Sequence, residues 1–129
     1  DRFVNNRDGT VTDKCTGLMW QMDTADVDGD GEFNDALPWC DALQYCQDLT
    51  FAGHDDWRLP NIQELQDIVN YGRFNPALDP LFATTLDHYW SSTPSMNFPS
   101  QAWYVFMDVG SVVLDAKIVP GYIRAVRGP

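Results

Sequence analysis

Positive charge is scarce in this chain of 129 residues: eight Lys and Arg stand against nineteen Asp and Glu, a formal net charge of -11 at pH 7. No run of Lys or Arg makes a local basic patch. The negative field repels phosphate backbones, anionic lipid and sulfated polysaccharide, so nucleic acid is not an expected partner. Long apolar runs are missing as well. No stretch approaches the roughly 20 residues of a membrane-crossing helix, and direct membrane insertion is not expected. Histidine is confined to His54 and His88, and neither has neighbours resembling a Ser-His-Asp or Cys-His site, so catalysis is not expected. The three cysteines, Cys15, Cys40 and Cys46, lack C-x-x-C spacing, which removes the zinc knuckle and the dithiol redox motif and leaves one disulfide plus one thiol. There is no internal repeat and no linker, and the length suits one domain spanning 1–129.

What is present suits a packed core: 44% of residues are hydrophobic and 13% aromatic, including five Trp, a globular composition. The chain begins at Asp1 with neither Met nor an apolar leader, so its compartment is inferred from composition. Few Lys, many Asn, Asp, Gly and Trp, and a candidate calcium loop point to an extracellular or cell-surface setting.

Residues 9–21 (GTVTDKCTGLMWQ) hold two β-prone runs, 10–12 and 18–20, around a turn at 13–17, which predicts a hairpin. Pro38 then opens a segment in which Trp39, Ala42, Leu43, Cys46 and Leu49 recur at helical spacing. A second helix carries its own punctuation: Asn61 as N-cap, Glu64 as capping-box partner, Ile62, Leu65, Ile68 and Val69 as the apolar stripe, and Gly72 as the stop. Residues 75–86, with two prolines, predict an irregular connection. Strands are expected at 89–92, 102–107, 111–114 and 122–126. A hairpin, two helices and a strand-rich C-terminal half make an α+β order, not the alternation of a parallel sheet.

The runs VTDKCTGLMWQ, DWRLPNIQEL, YWSST, AWYV and YIRAVRG together resemble the bacterial domain family named after the C-terminal domain of the Legionella collagen-like (Lcl) adhesin, long treated as a domain of unknown function. The likeness covers nearly the whole chain. It implies a C-type-lectin-like fold, with two helices flanking a twisted antiparallel sheet and ligands held by C-terminal strands and loops. Related folds include the variable proteins of diversity-generating retroelements and the sulfatase-activating enzymes. The latter place a reactive cysteine pair late in the chain, where this sequence has none. The resemblance also implies a disulfide between Cys15 and Cys46, positions where the family often has cysteine, with Cys40 free. Trp57, Leu59, Trp90 and Trp103 are expected in the core, and Arg58, Arg124 and Arg127 are expected to tie carboxylates (Asp55, Asp56, Glu64) or backbone carbonyls together.

Residues 26–35 (DVDGDGEFND) raise the question of a metal. With Asp26 at loop position one, Asp28, Asp30, Gly31, the Glu32 carbonyl and Asn34 match an EF-hand loop. Position twelve is Leu37 instead of Glu, so Asp35, Asp23 or Asp41 would have to close the shell. The expectation is a structural calcium ion held by Asp26, Asp28, Asp30, Glu32, Asn34 and Asp35, with a solvated turn as the alternative. The E-P-N, Q-P-D and W-N-D signatures of calcium-dependent sugar binding are absent.

In residues 102–108, alternation sends Trp103, Val105 and Met107 to one side and Tyr104, Phe106 and Asp108 to the other. The first set should be core. The second is either covered by another layer or an exposed aromatic strip suited to recognition. Residues 111–120 (SVVLDAKIVP) are apolar for an outer loop, so Val113, Leu114, Asp115, Ile118 and Val119 join Tyr104, Phe106 and Asp108 as candidate ligand contacts. Several of these are residues that adenine-directed mutation of Asn codons can produce, as in retroelement variable proteins, though most amino acids pass that test. The expected function is non-enzymatic, adhesin-like recognition of a protein. A glycan ligand and self-association into a homo-oligomer or surface filament are the alternatives.

Overall fold

The computed structural model describes residues 1–29 and 35–128. The expected hairpin is β2 (Thr10–Asp13) against β3 (Met19–Gln21), antiparallel, with Val11 opposite Trp20. Its turn closes by Gly17 N–H donating to the Asp13 carbonyl at 2.8 Å. Two strands extend it into a four-stranded sheet of order β1-β2-β3-β7: β1 (Phe3–Asn5) outside β2, and β7 (Val126–Arg127) beside β3. A short polar-flanked strand such as β1 exists because β2 offers it an edge, which no local pattern announces.

Helix α1 spans Trp39–Asp48. Pro38 provides no side-chain cap, and the Trp39 N–H is met from elsewhere, by the Lys117 carbonyl at 2.9 Å. Helix α2 starts as the sequence predicts, with the reciprocal Asn61–Glu64 capping box formed, but it covers only Ile62–Asp67. It stops short of Gly72 because Val69 N–H closes onto the Gln66 carbonyl three residues back and the Asn70 side chain takes Gly72 N–H. Asn competes in this way with continued helix. Glu64 also receives both terminal nitrogens of Arg58 at 2.7 Å. That guanidinium holds the Glu64 carboxyl below its ordinary value.

The second sheet has the order β4-β5-β6: β4 (His88–Pro94), β5 (Gln101–Phe106) and β6 (Ser111–Ala116), all antiparallel. The register aligns Tyr89, Val105 and Val112 across one face, and Trp90, Tyr104 and Val113 across the other. Leu65 and Ile68 join Tyr89, Val105 and Met107 in one core cluster, which also takes Val11, Trp20 and Val126 from the first sheet. Ala42 and Cys46 of α1 join Trp57, Leu59, Trp90, Ala102 and Tyr104 in the other. The helices therefore lie on opposite faces of the β4-β5-β6 sheet, in an α+β architecture of two short helices and two antiparallel sheets. Two expectations are corrected. The strand expected at 111–114 forms as edge strand β6 and runs on to Ala116, so most of the stretch at 111–120 is not the expected outer loop, because Ser111–Ala116 pairs residue by residue with β5. The run at 122–126 is mostly irregular, with Tyr122 in a lone parallel bridge to Tyr89.

The proposed Cys15–Cys46 disulfide is absent: all three cysteines are free thiols. Cys46 is fully buried in the α1 core cluster, whereas Cys15 is exposed in the β2–β3 turn. Burial pushes the Cys46 thiol up to about 12, a protonated, inert side chain. Cys15→Ser is expected to change stability by about 0.5 kcal/mol or less. Alkylation of the native protein should label Cys15 and Cys40 and spare Cys46 until denaturant is added. A loss of several kcal/mol in Cys15→Ser would restore the bridge.

Arg127 reaches Asp56 through two nitrogens at 2.5 and 3.0 Å. Arg124 is fully buried and takes the carbonyl alternative: Nη1 donates to the Gln21 and Met22 carbonyls, and Nη2 to the Ala83 carbonyl and Thr84 Oγ1. Its guanidinium lies over the Phe82 and Tyr89 rings at 5.1 and 5.5 Å. One side chain thus binds the exit of β3, the loop before β4 and the approach to β7.

Candidate functional site

Two regions hold the residues singled out from the sequence. The acidic loop follows β3. Carboxylate oxygens of Asp26, Asp28 and Asp35 all lie within 4.8 Å of one another. Hydrogen bonds organise them: Asp35 Oδ2 accepts Val27 N–H at 2.7 Å, and Asp26 Oδ1 accepts Gly29 N–H at 3.1 Å. Gly29 has φ +72°, the left-handed conformation such a turn needs. Asp35 thus joins the cluster as one of the three candidates to close the shell, while Asp23 and Asp41 are not in it. Asp30, Glu32 and Asn34 lie outside the described residues.

The C-terminal candidates divide by burial. Tyr104 is only 8% exposed; it is covered by a layer, as one of the two sequence alternatives held. Its ring meets His88 at 4.6 Å and Trp90 at 5.8 Å between centroids, so it is an interior residue and not a surface contact. Burial, with Asp115 and Asp87 adding, raises its phenol above the usual value. Phe106 packs half-buried against the same cluster. Trp103, placed in the core by alternation, is also only half-buried. Leu114, Asp115, Val119 and Asp108 are half-buried. Asp115 and Asp108 cap their own next N–H groups, Ala116 and Val109.

Val113 and Ile118 do face outward, Ile118 at 83% exposure. The exposed apolar surface beside Ile118 comes from residues that the local sequence pattern did not single out. The loop between β4 and β5 carries Met96 at 97% and Phe98 at 55% exposure. Lys117 N–H donates to the Ser100 carbonyl at 2.9 Å, which ties that loop to the turn bearing Ile118. The available signal was a Met and a Phe inside a proline-bounded polar stretch, PSMNFP. Lys117 also covers the Trp39 ring, its Nζ 4.3 Å from the centroid. At the other end of the sheet, Val109 in the β5–β6 turn stands near Tyr71, whose ring would be 3.2 Å from a Cβ at the neighbouring Gly110. Val109 and Tyr71 are both exposed.

The histidines have structural company. His88 Nε2 donates to the Pro120 carbonyl at 2.8 Å and Nδ1 meets Asp87 at 2.7 Å. His54 lies edge-on to Trp57. No helix among the described residues is long and apolar enough to cross a membrane.

No curated protein matches the chain. A family model described as the Lcl C-terminal domain matches residues 9–127. That span runs from the start of β2 to the end of β7 and takes in both helices and every strand but β1, and the chain accordingly belongs to the Lcl C-terminal domain family.

Proposed function

We propose that this chain is a non-enzymatic recognition domain of C-type-lectin-like fold, displayed outside the cell, whose ligand is a protein bound at the apolar rim of the β4-β5-β6 sheet. The observation that carries it is the trio Met96, Phe98 and Ile118, exposed at 97, 55 and 83% on two loops joined by a backbone hydrogen bond. Large apolar side chains grouped in water mark interaction sites, and Met adapts well to a partner surface. Val113 on the edge strand is a further exposed apolar residue of the same sheet. The charge of -11 turns away polyanions and favours a neutral or basic partner.

The acidic loop serves this domain as a calcium staple. Three converging carboxylates suit a hard cation that takes oxygen ligands. Asp26, Asp28 and Asp35 would hold the ion, which would relieve their mutual repulsion and fix the approach to α1. Affinity on the order of 0.1 to 1 mM is expected, as in extracellular modules.

The test is binding of the purified domain to an array of extracellular proteins and glycans, with calcium and with EDTA, beside the variant Met96→Ser/Phe98→Ser/Ile118→Ser. Protein hits that survive EDTA and weaken at least about tenfold in the triple variant are expected, since truncating central apolar anchors costs more than about 1 kcal/mol each. A glycan signal abolished by EDTA would instead make the acidic loop part of a lectin site. A second reading has its own observation: exposed apolar residues at both ends of one sheet suit head-to-tail stacking of copies. Sedimentation at rising concentration separates it, because a monomeric binder keeps one mass.

A further inference from the structure

A cavity of about 290 Å³ lies beside the acidic loop, lined by Gln21, Asp23, Thr24, Asp26, Tyr45, Leu49 and Phe51. Its polar floor is already engaged. Gln21 and Thr24 are buried; Gln21 Oε1 accepts Ala125 N–H at 2.8 Å, and Thr24 Oγ1 shares a hydrogen bond with the Tyr89 hydroxyl. The walls are apolar and held in place. Phe51 is fixed by paired backbone hydrogen bonds with His54 and by an edge contact of its ring with Trp57, 5.8 Å between centroids. Gly9 makes room for that ring, since a Cβ there would lie 2.9 Å from it.

Two lining residues, Asp23 and Asp26, are acidic, and none of the described lining residues is Lys, Arg or His. The sign of the ligand follows from this, in a chain of net charge -11. A bare ion is a poor occupant, because Tyr45, Leu49 and Phe51 offer an aliphatic and aromatic wall with little to coordinate it. A cation carrying an alkyl stem satisfies both halves: its head meets the carboxylates, and its stem lies against Leu49 and the two rings, whose faces also attract positive charge. We propose that this cavity receives a primary ammonium on an aliphatic stem, the chemistry shared by a lysine side chain of another protein and a free diamine.

The site shares no residue with the apolar rim but shares Asp26 with the acidic cluster, so its test is run in EDTA, where no ion competes for that carboxylate, and it stands whether or not the rim binds protein. Isotope-labelled protein is titrated with Nα-acetyl-lysine methylamide, with cadaverine, and with the uncharged Nα-acetyl-norleucine methylamide, which keeps the alkyl stem but lacks the ammonium, and amide and aromatic NMR shifts are read. Expected are saturable shifts at Gln21, Tyr45, Leu49 and Phe51 with the two amines, and an affinity about tenfold weaker in Asp26→Asn. Phe51→Leu, which keeps the wall apolar but removes the ring, should also weaken binding, and each variant's spectrum reports its fold directly. Tighter binding of the lysine derivative assigns the source to a protein, and tighter cadaverine to a free amine; both uphold the site. Equal shifts with the norleucine derivative, or no saturable shifts at these residues, would overturn it.

Discussion

Replacing Arg124 with Met is expected to lower the unfolding free energy by about 3 to 5 kcal/mol. Arg124 is fully buried and its two terminal nitrogens serve three backbone carbonyls and one hydroxyl, on segments roughly 40 and 100 residues away in sequence. Met fills much of the volume but donates nothing, so the carbonyls of Gln21, Met22 and Ala83 lose a charged donor in a site where water does not replace it. Burial lowers the guanidinium pKa, and arginine is nonetheless the side chain that keeps its charge in protein interiors. Arg124→Lys should recover little, because one ammonium cannot span acceptors that a planar fork reaches on two sides. Urea unfolding followed by tryptophan fluorescence measures the effect. A midpoint for Arg124→Met equal to that of the parent would mean that the carbonyls find other partners and that Arg124 pins nothing.

The second large effect is expected at a residue with no side chain. In Gly121→Ala the new Cβ would lie 2.6 Å from Trp90 Nε1 and 2.7 Å from its Cδ1. Trp90 cannot step aside: it is fully buried, its Nε1 donates to the Leu37 carbonyl at 3.0 Å, and Tyr104 and His88 stand against its ring. Gly121 is itself held, trading two backbone hydrogen bonds with Leu37. Overpacking against a rigid ring plus damage to the indole hydrogen bond should total about 2 to 4 kcal/mol. In a Trp90→Phe background, where no indole nitrogen meets the new methyl, the same substitution should cost clearly less. That coupling separates a local clash from general intolerance of the loop. Equal penalties in both backgrounds would place the strain in the backbone instead.

Features that depend on neighbours along the chain are legible in the amino-acid sequence. The β2–β3 hairpin rests on two short β-prone runs and a turn with Gly17 at its end. The start of α2 rests on Asn61 and Glu64 satisfying each other's backbone N–H groups within one turn. Convergence of Asp26, Asp28 and Asp35 is likewise implied by their spacing around glycine. Alternation along β5 sorts residues into two sides correctly, with Tyr104 and Trp103 on opposite faces. It could not say that α1 and the Trp90 layer would cover the Tyr104 side while leaving Trp103 half-exposed, because a strand's period of two carries no information about what is stacked on it.

Composition and local pattern alone determined the acidic character, the α+β order, the helix starts, the acidic turn and, through the motif set, the family. The tertiary structure decided the rest. It alone joined the β4–β5 loop carrying Met96 and Phe98 to the turn carrying Ile118, since the Ser100–Lys117 hydrogen bond continues the β5–β6 register. It kept Cys15 and Cys46 apart, assigned Arg124 to carbonyls and not to a carboxylate, and closed a cavity between β3, α1 and Phe51. Each of these joins residues far apart in the chain, and such contacts are set by which apolar faces bury together, a choice that no local propensity records.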